Sequence, residues 1–207
     1  MAGMDAEDWN ARYRASELVW SAGPNQFVAA ELSGLDPGRA LDLAAGEGRN
    51  AIWLAQQGWK VTAVDFSQAG LDKGQILGAG LDVEWVCDDA TTWSSPAAYD
   101  LCVIAYLQLV AAERRAAVRA GYGSVRVGGT FLLVAHDTTN HTEGTGGPTD
   151  PAVLMTADDV LGDLDGETFD VQHAGRVARK VGGPEHVHGP SPTATAWDCL
   201  VRVTRRA

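Results

Sequence analysis

The densest run of chemistry-bearing residues lies between Ala40 and Ser67, in ALDLAAGEGRNAIWLAQQGWKVTAVDFS. An apolar stretch containing Asp42 breaks into Ala44-Ala45-Gly46-Glu47-Gly48, a helical pattern follows, and a second apolar stretch ends at Asp65. Small residues at a strand-to-helix turn let the backbone approach a ligand closely. The helix after the turn offers free N–H groups and the positive end of its dipole, suited to a carboxylate or phosphate. Asp65, about 20 residues on, is placed to accept hydrogen bonds from two ribose hydroxyls. The site therefore suits a nucleoside with an anionic arm.

Two cofactors meet that description. Gly46 to Ala51 matches the G-x-G-x-x-A fingerprint of NAD sites. Asp42, an acid inside the first strand, favours the other: it serves an ammonium group and faces a pyrophosphate poorly. A sulfonium amino acid joined to adenosine suits that mixture of acids and free amides. A tight turn holding no ligand is the remaining reading, disfavoured by Asp42 and Asp65 together.

Further candidates lie beyond the fifth apolar run. His136, Asp137 and His141 are acid–base candidates expected to face the same crevice, the alternative being loop residues bonded to backbone. The loop from Asp137 to Asp150 is long enough for a lid, and its glycine, threonine and asparagine content predicts mobility until a ligand orders it. His186 and His188 form an H-x-H pair with no third ligand at defined spacing, so no metal site is expected. Cys87, Cys102 and Cys199 have no C-x-x-C spacing and predict neither a disulfide framework nor zinc.

The elements that must hold these residues alternate. Strands are predicted at Arg39 to Leu43, Lys60 to Val64, Val83 to Val86, Asp100 to Ala105 and Thr130 to Ala135, with helices near Arg49 to Gln57, Gln68 to Ile76 and Ala111 to Tyr122. That alternation signals an α/β fold, a parallel sheet with crossover helices. The tail differs: Phe169 to Val177 and Ala196 to Val203 flank a Gly/Pro/His loop and predict a closing antiparallel hairpin. In the last strand Trp197, Cys199, Val201 and Val203 share one face, expected to be buried. Asp198, Arg202 and Thr204 share the other, expected to be wet or lightly covered.

The 207 residues, 45% hydrophobic, fit one domain: an N-terminal helical segment over residues 1–36 and a core over 37–207. Trp9, Tyr13 and Trp20 in the first segment either cover the crevice or form the packed face of a helix. The net charge of −11 argues against a nucleic-acid partner. No apolar run approaches a membrane span or a secretory leader, and a cytoplasmic location is expected. Oligomeric state is not legible.

LDLAAGEGRN, VTAVDFS, CDDATTW, YDLCVIAYLQL and VGGTFLLVAHD, in this order over about residues 37 to 137, resemble the successive motifs of class I S-adenosylmethionine-dependent methyltransferases. WNARY at Trp9 to Tyr13 and GEGRNAIWLA resemble the branch containing tellurite-resistance and thiopurine methyltransferases. The resemblance implies a Rossmann-like three-layer sandwich, with a seven-stranded, mostly parallel sheet and an antiparallel C-terminal strand. It implies S-adenosyl-L-methionine as methyl donor and a small-molecule acceptor. Carried over, it makes Ala44, Ala45, Gly46 and Gly48 the loop against the methionine arm, Asp65 the ribose ligand and Phe66 the neighbour of adenine. Asp89 takes the adenine amino group, with Asp88 the competing choice, and the Ala90 N–H reaches a ring nitrogen. Ala105 and Tyr106 lie under the methionine portion, Tyr106 otherwise being a core aromatic. Two positions depart from the pattern. Ala44 stands where the family has a glycine, tolerable if its φ is negative. Gln108 stands where many such enzymes carry histidine, which leaves His136 and Asp137 as the expected acid–base pair.

Overall fold

The structure is a computed structural model and describes residues 5–19, 23–181 and 194–207. Trp20, His186 and His188 lie outside the described residues.

Five strands form the parallel part of the sheet: β1 (Arg39–Leu43), β2 (Lys60–Asp65), β3 (Val83–Cys87), β4 (Tyr99–Ala105) and β5 (Val125–His136). Two more follow, β6 (Phe169–Val181) and β7 (Ala194–Arg205), and the sheet order is β3-β2-β1-β4-β5-β7-β6. β7 runs antiparallel to both its neighbours, β5 and β6, while the other pairs are parallel. This is the Rossmann-like arrangement predicted above. The crossovers are α3 (Arg49–Gln56), α4 (Gln68–Leu77) and α5 (Ala111–Ser124), preceded by α1 (Ala6–Ala15) and α2 (Gln26–Leu32).

Alternation along the central strands divides the core. Leu41, Leu43, Cys102, Ile104, Phe131 and Leu133 pack with Ala117, Val118 and Tyr122 of α5. Ala40, Leu101, Val103, Leu132 and Val134 pack with Val28 and Leu32 of α2 and Ala51 and Leu54 of α3. Both faces of β1 and β4 are thus covered, as in a doubly wound sheet. Helix starts carry the expected side-chain caps: Asp5 in a capping box, Asn25 bonded to Phe27 and Val28, and Ser67 bonded to Gly70.

Three differences from the predicted elements stand out. β5 begins at Val125, ahead of Gly128, whose φ of 84° only glycine adopts readily. A helix α7 (Ala157–Asp163), with Thr156 and Asp159 as a capping box, precedes β6, and its Val160 fills the core. The face of β7 predicted to be wet or lightly covered keeps Arg202 and Thr204 half-buried, but Asp198 at 0% exposure is enclosed by Tyr106, His136 and Arg179, and Leu200 at 1% joins the core with residues of α2 and α3.

Candidate functional site

The turn after β1 is built from alternating left-handed residues: φ is 66° at Ala44, 58° at Gly46 and 75° at Gly48. The condition set for Ala44, a negative φ, is overturned. The turn requires that conformation, and alanine is the smallest side chain that can bear it, at a cost of about 1–2 kcal/mol. The Ala45 N–H donates to the Val64 carbonyl at 2.9 Å, which pins the turn to the end of β2. Gly48 precedes α3 with no side-chain cap, and a Cβ there would overlap the six-membered ring of Trp85. A Cβ on Gly74 of α4 would strike the same ring.

Asp65 ends β2 beside this turn. It is nearly enclosed and accepts from the Gly46 and Ser67 N–H groups, each at 2.8 Å. Burial raises its pKa against the pull of those two bonds. Each oxygen retains acceptor capacity beyond its single bond. Asp42 is enclosed under the turn, where Oδ2 accepts the Ala51 N–H at 3.0 Å and anchors the first turn of α3. Oδ1 is buried without a hydrogen-bond partner, and burial pushes the carboxyl up to about 7. The expectation that Asp42 serves an ammonium directly thus meets a group walled in by α3.

The N-terminal segment reaches this corner. Asn10 of α1 accepts from Ser67 Oγ at 2.8 Å and from the Ala69 N–H at 2.9 Å, and so helps to cap α4. Buried Tyr13 lies against Gly70, whose Cβ would also crowd the Gly46 carbonyl. Glu47, only 3% exposed, accepts the Val19 N–H at 3.0 Å and pairs with Lys73 at 2.9 Å. Sequence reasoning passed over Asn10 and Glu47. A glutamate between two motif glycines was the available signal.

Beyond β2 and β3, at the positions expected to face adenine, Phe66 is half-buried while Asp88 and Asp89 are exposed. Asp89 Oδ1 accepts from the Thr91 N–H and hydroxyl at 2.7 and 2.8 Å, and Asp88 Oδ1 accepts the Asp89 N–H at 2.8 Å. Ala90 is buried at the start of the following turn. Ala105 ends β4, and Tyr106 follows it with a φ of 58°, the second non-glycine residue in the left-handed region. Its N–H donates to Val134 at 2.7 Å, so the strain is held by the sheet.

Tyr106 belongs to a polar cluster at the carboxyl end of the sheet. Its hydroxyl donates to Asp198 Oδ2 at 2.8 Å, and Arg179 Nε donates to the same oxygen at 2.7 Å. His136, the register partner of Asp198 across β5 and β7, places Nδ1 3.3 Å from Asp198 Oδ1. The Tyr106 and His136 rings lie 4.9 Å apart, and the Arg49 and Arg179 guanidiniums approach the Tyr106 ring at 6.0 and 5.5 Å. Burial opposes ionisation of Asp198, yet contacts from His136, Arg179 and Tyr106 hold its pKa below the usual range. Burial and the Asp198 charge raise the Tyr106 hydroxyl, which remains a donor. Asp198 was assigned to the lightly covered face, so its part here was missed; an acid within a strand otherwise rich in apolar residues was the signal.

The loop beyond β5 is more fixed than its composition predicts. Asp137 is buried and its Oδ1 accepts from the Thr139 N–H and hydroxyl at 2.9 and 2.7 Å, so its carboxylate closes a turn. Asn140, in the short helix α6 (Asn140–Glu143), donates to the Gly146 carbonyl and accepts the Trp197 N–H, both at 2.8 Å. Arg176 pairs with Glu143 at 2.7 Å and lies 4.1 Å over Trp197. Gly147 covers the His136 ring, with a Cβ there meeting ring atoms at 3.1 Å. His141 is exposed. Gln108 ties the start of the loop to β4: it accepts the His136 N–H at 2.9 Å and donates to the Val153 carbonyl at 2.7 Å.

Among the described residues no His/Cys/Asp/Glu group could hold a metal ion, and no helix is long and apolar enough to cross a membrane.

Residues 40–129 match the family of methyltransferase domains. A chain solved in work on the conversion of a disulfide bond into a thioacetal group during echinomycin biosynthesis superposes with a TM-score of 0.72 at 21% identity, covering 97% of this chain and 92% of that one. TehB from Haemophilus influenzae superposes at 0.64 with 14% identity over 97% of this chain and 67% of its own. Geranyl diphosphate methyltransferase, solved with geranyl diphosphate and sinefungin, superposes at 0.62 with 14% identity over 87% and 77%. In sequence, an alcohol dehydrogenase from Geobacillus stearothermophilus is 30% identical over 128 residues, 60% of this chain and 37% of that protein. The chain therefore spans well under half the length of that curated relative.

Proposed function

We propose that this chain, which carries a class I methyltransferase domain, transfers a methyl group from S-adenosyl-L-methionine to a small-molecule acceptor. The observation that carries the reading is the methyltransferase match over residues 40–129, which spans the left-handed turn, Asp65, Phe66, Asp89, Ala90, Ala105 and Tyr106. The residues present suit the donor. Asp65 keeps acceptor capacity for a ribose diol, and the Ala44–Gly48 backbone is the element against the methionine arm. The buried Asp42 carboxyl below that turn, with Oδ1 unpartnered, favours a cation nearby over a pyrophosphate. The donor supplies an electrophilic methyl on a positively charged sulfur. The protein then contributes orientation and exclusion of water, on the order of 7 kcal/mol or more of the barrier. Tyr106 and His136 are the groups at the reacting end, and α1, through Asn10 and Tyr13, roofs the ribose corner.

The likeness to an alcohol dehydrogenase favours a second reading, an NAD-dependent oxidoreductase. Dinucleotide folds place six parallel strands in the order 3-2-1-4-5-6. Insertion of an antiparallel β7 between β5 and β6 argues against it. A non-catalytic protein that binds S-adenosylmethionine is the third reading. The acidic net charge speaks against nucleic acid as acceptor, and we place the chain in the cytoplasm.

Calorimetric titration with S-adenosylhomocysteine and with NAD, followed by a mass-shift screen of small acceptors, tests all three. Binding of S-adenosylhomocysteine, with an acceptor that gains the mass of one methyl group in place of a hydrogen, supports the proposal. Tight binding of NAD instead overturns it, and cofactor binding without turnover selects the third reading.

A further inference from the structure

We propose that Asp198 is a positioning residue that fixes His136 as the proton acceptor for the methyl-accepting group, so that the acceptor is a protic nucleophile, a thiol or hydroxyl. The inference rests on the methyl-transfer reading and names the acceptor class of the same site.

His136 Nδ1 is buried and makes no aligned hydrogen bond, and the polar atom facing it is Asp198 Oδ1 at 3.3 Å. Asp198 is fully enclosed, and its other oxygen is occupied by the Tyr106 hydroxyl and Arg179 Nε. An unprotonated Nδ1 there would set its lone pair against that of a buried carboxylate. The proton therefore sits on Nδ1, and the second ring nitrogen, Nε2, is left as an acceptor. Nε2 has no hydrogen-bond partner among the described residues and is not among the enclosed atoms; it lies on a ring that keeps 13% of its side-chain surface open. Gly147 on one side and the Tyr106 ring 4.9 Å away restrict tilting of the imidazole. The charged groups around this pair are Asp198 from β7 and Arg179 from β6, with Arg49 from α3 beyond Tyr106. Asp198, ionised, stabilises the imidazolium that forms when Nε2 takes a proton, as the acid of an acid–histidine pair does.

The acceptor heteroatom forms a bond to the methyl carbon while the carbon–sulfur bond breaks, its electron pair staying on sulfur to give a neutral thioether. The proton on the acceptor passes to His136 Nε2, and the resulting imidazolium returns it to water. An acceptor without a proton, such as a thioether, gains nothing from this arrangement and ends as a cation beside Arg49 and Arg179.

The test uses the whole chain labelled with ¹⁵N-histidine, saturated with S-adenosylhomocysteine, in wild type and Asp198→Asn, with His136→Gln to assign the resonance. Long-range proton–nitrogen spectra are expected to show His136 with hydrogen on Nδ1 in the wild type and a tautomer mixture in Asp198→Asn. A wild-type His136 protonated on Nε2 alone overturns the proposal whether or not the variants fold. With tritiated methyl donor and benzenethiol as probe, Asp198→Asn is expected to lower kcat about 10²-fold with the donor KM within about twofold, Asp198→Glu recovering part of the loss. Transfer to thioanisole at the rate seen for benzenethiol, or benzenethiol turnover indifferent to Asp198→Asn, overturns it. Failure to bind S-adenosylhomocysteine sinks the methyltransferase reading instead and leaves the tautomer result to stand separately.

Discussion

Asn140 accepts the backbone N–H of Trp197 at 2.8 Å, which fastens the loop after β5 to β7 one residue before Asp198. The carboxamide is buried and also holds the Gly146 carbonyl. Asn140→Ala removes both bonds, leaving the half-buried Trp197 N–H and the exposed Gly146 carbonyl without this partner, and is expected to cost about 0.5–1.5 kcal/mol of stability. Urea unfolding measures the loss. Limited proteolysis should show new cleavage between residues 140 and 150, and an unchanged digest would mean that the loop is held elsewhere.

Asp65→Ala is expected to weaken S-adenosylhomocysteine binding by about 1.5–3 kcal/mol, the worth of a carboxylate that accepts two hydroxyl bonds. The same change frees the Gly46 and Ser67 N–H groups, so the melting temperature falls as well. Asp65→Asn separates the two effects: its single oxygen keeps one backbone bond while most ribose affinity is lost. Calorimetry that finds equal affinity in wild type and Asp65→Ala removes Asp65 from the cofactor site.

Ala44 carries a φ of 66°. Replacement by valine adds a β-branched side chain in a conformation that such residues avoid, and should cost at least about 1 kcal/mol beyond any cost of glycine. Ala44→Gly relieves the strain while loosening the unfolded chain, so its net effect is expected to lie within about 1 kcal/mol of wild type. Denaturation midpoints of the two variants give the ranking directly. Equal stability of the valine and glycine variants would contradict the left-handed backbone.

Asp42 supplies a pH dependence. Its ordinary value is 3.8, and burial pushes it up to about 7. Between those values the folded chain retains a proton that the unfolded chain has released, so this group's contribution to stability falls as pH rises from about 4 to about 7 and is level above that. Asp42→Asn can keep the Ala51 bond through its remaining oxygen and removes the titration. The stability of the variant relative to wild type should therefore be more favourable at pH 8 than at pH 5. Parallel pH profiles would show that Asp42 ionises freely.

The mostly parallel sheet was legible because each central strand is a short apolar run bounded by turn residues, and the Arg39–Leu43 boundaries stand as read. The antiparallel β7 was legible from the absence of a helical pattern between the last two strands. α7 was not, since its seven residues are too few for a 3.6-residue period to show above noise. At the candidate site, the residues on one continuous motif were read together. Asp198 was lost because its partners come from three other segments, Tyr106 after β4, His136 on β5 and Arg179 on β6, and no local spacing records that meeting. Asp137 was read as chemistry, whereas its oxygen closes a turn onto Thr139, a common use of aspartate that composition does not distinguish from catalysis.

Trp85 leaves β3 and fills space vacated by Gly48 before α3 and Gly74 within α4. Two helices share one indole, and the three positions must therefore be energetically non-additive: Gly74→Ala should be costly in the wild type and much less so once Trp85 is trimmed to alanine, when only the Glu47 carbonyl at 3.1 Å still crowds the new Cβ. Gly48 differs, because its φ of 75° keeps it constrained after the ring is gone. The substitutions available to the helix α4 face are thus conditional on an edge-strand side chain: a homologue lacking that indole could carry alanine at position 74, within the limit set by the Glu47 carbonyl, while still needing glycine at 48.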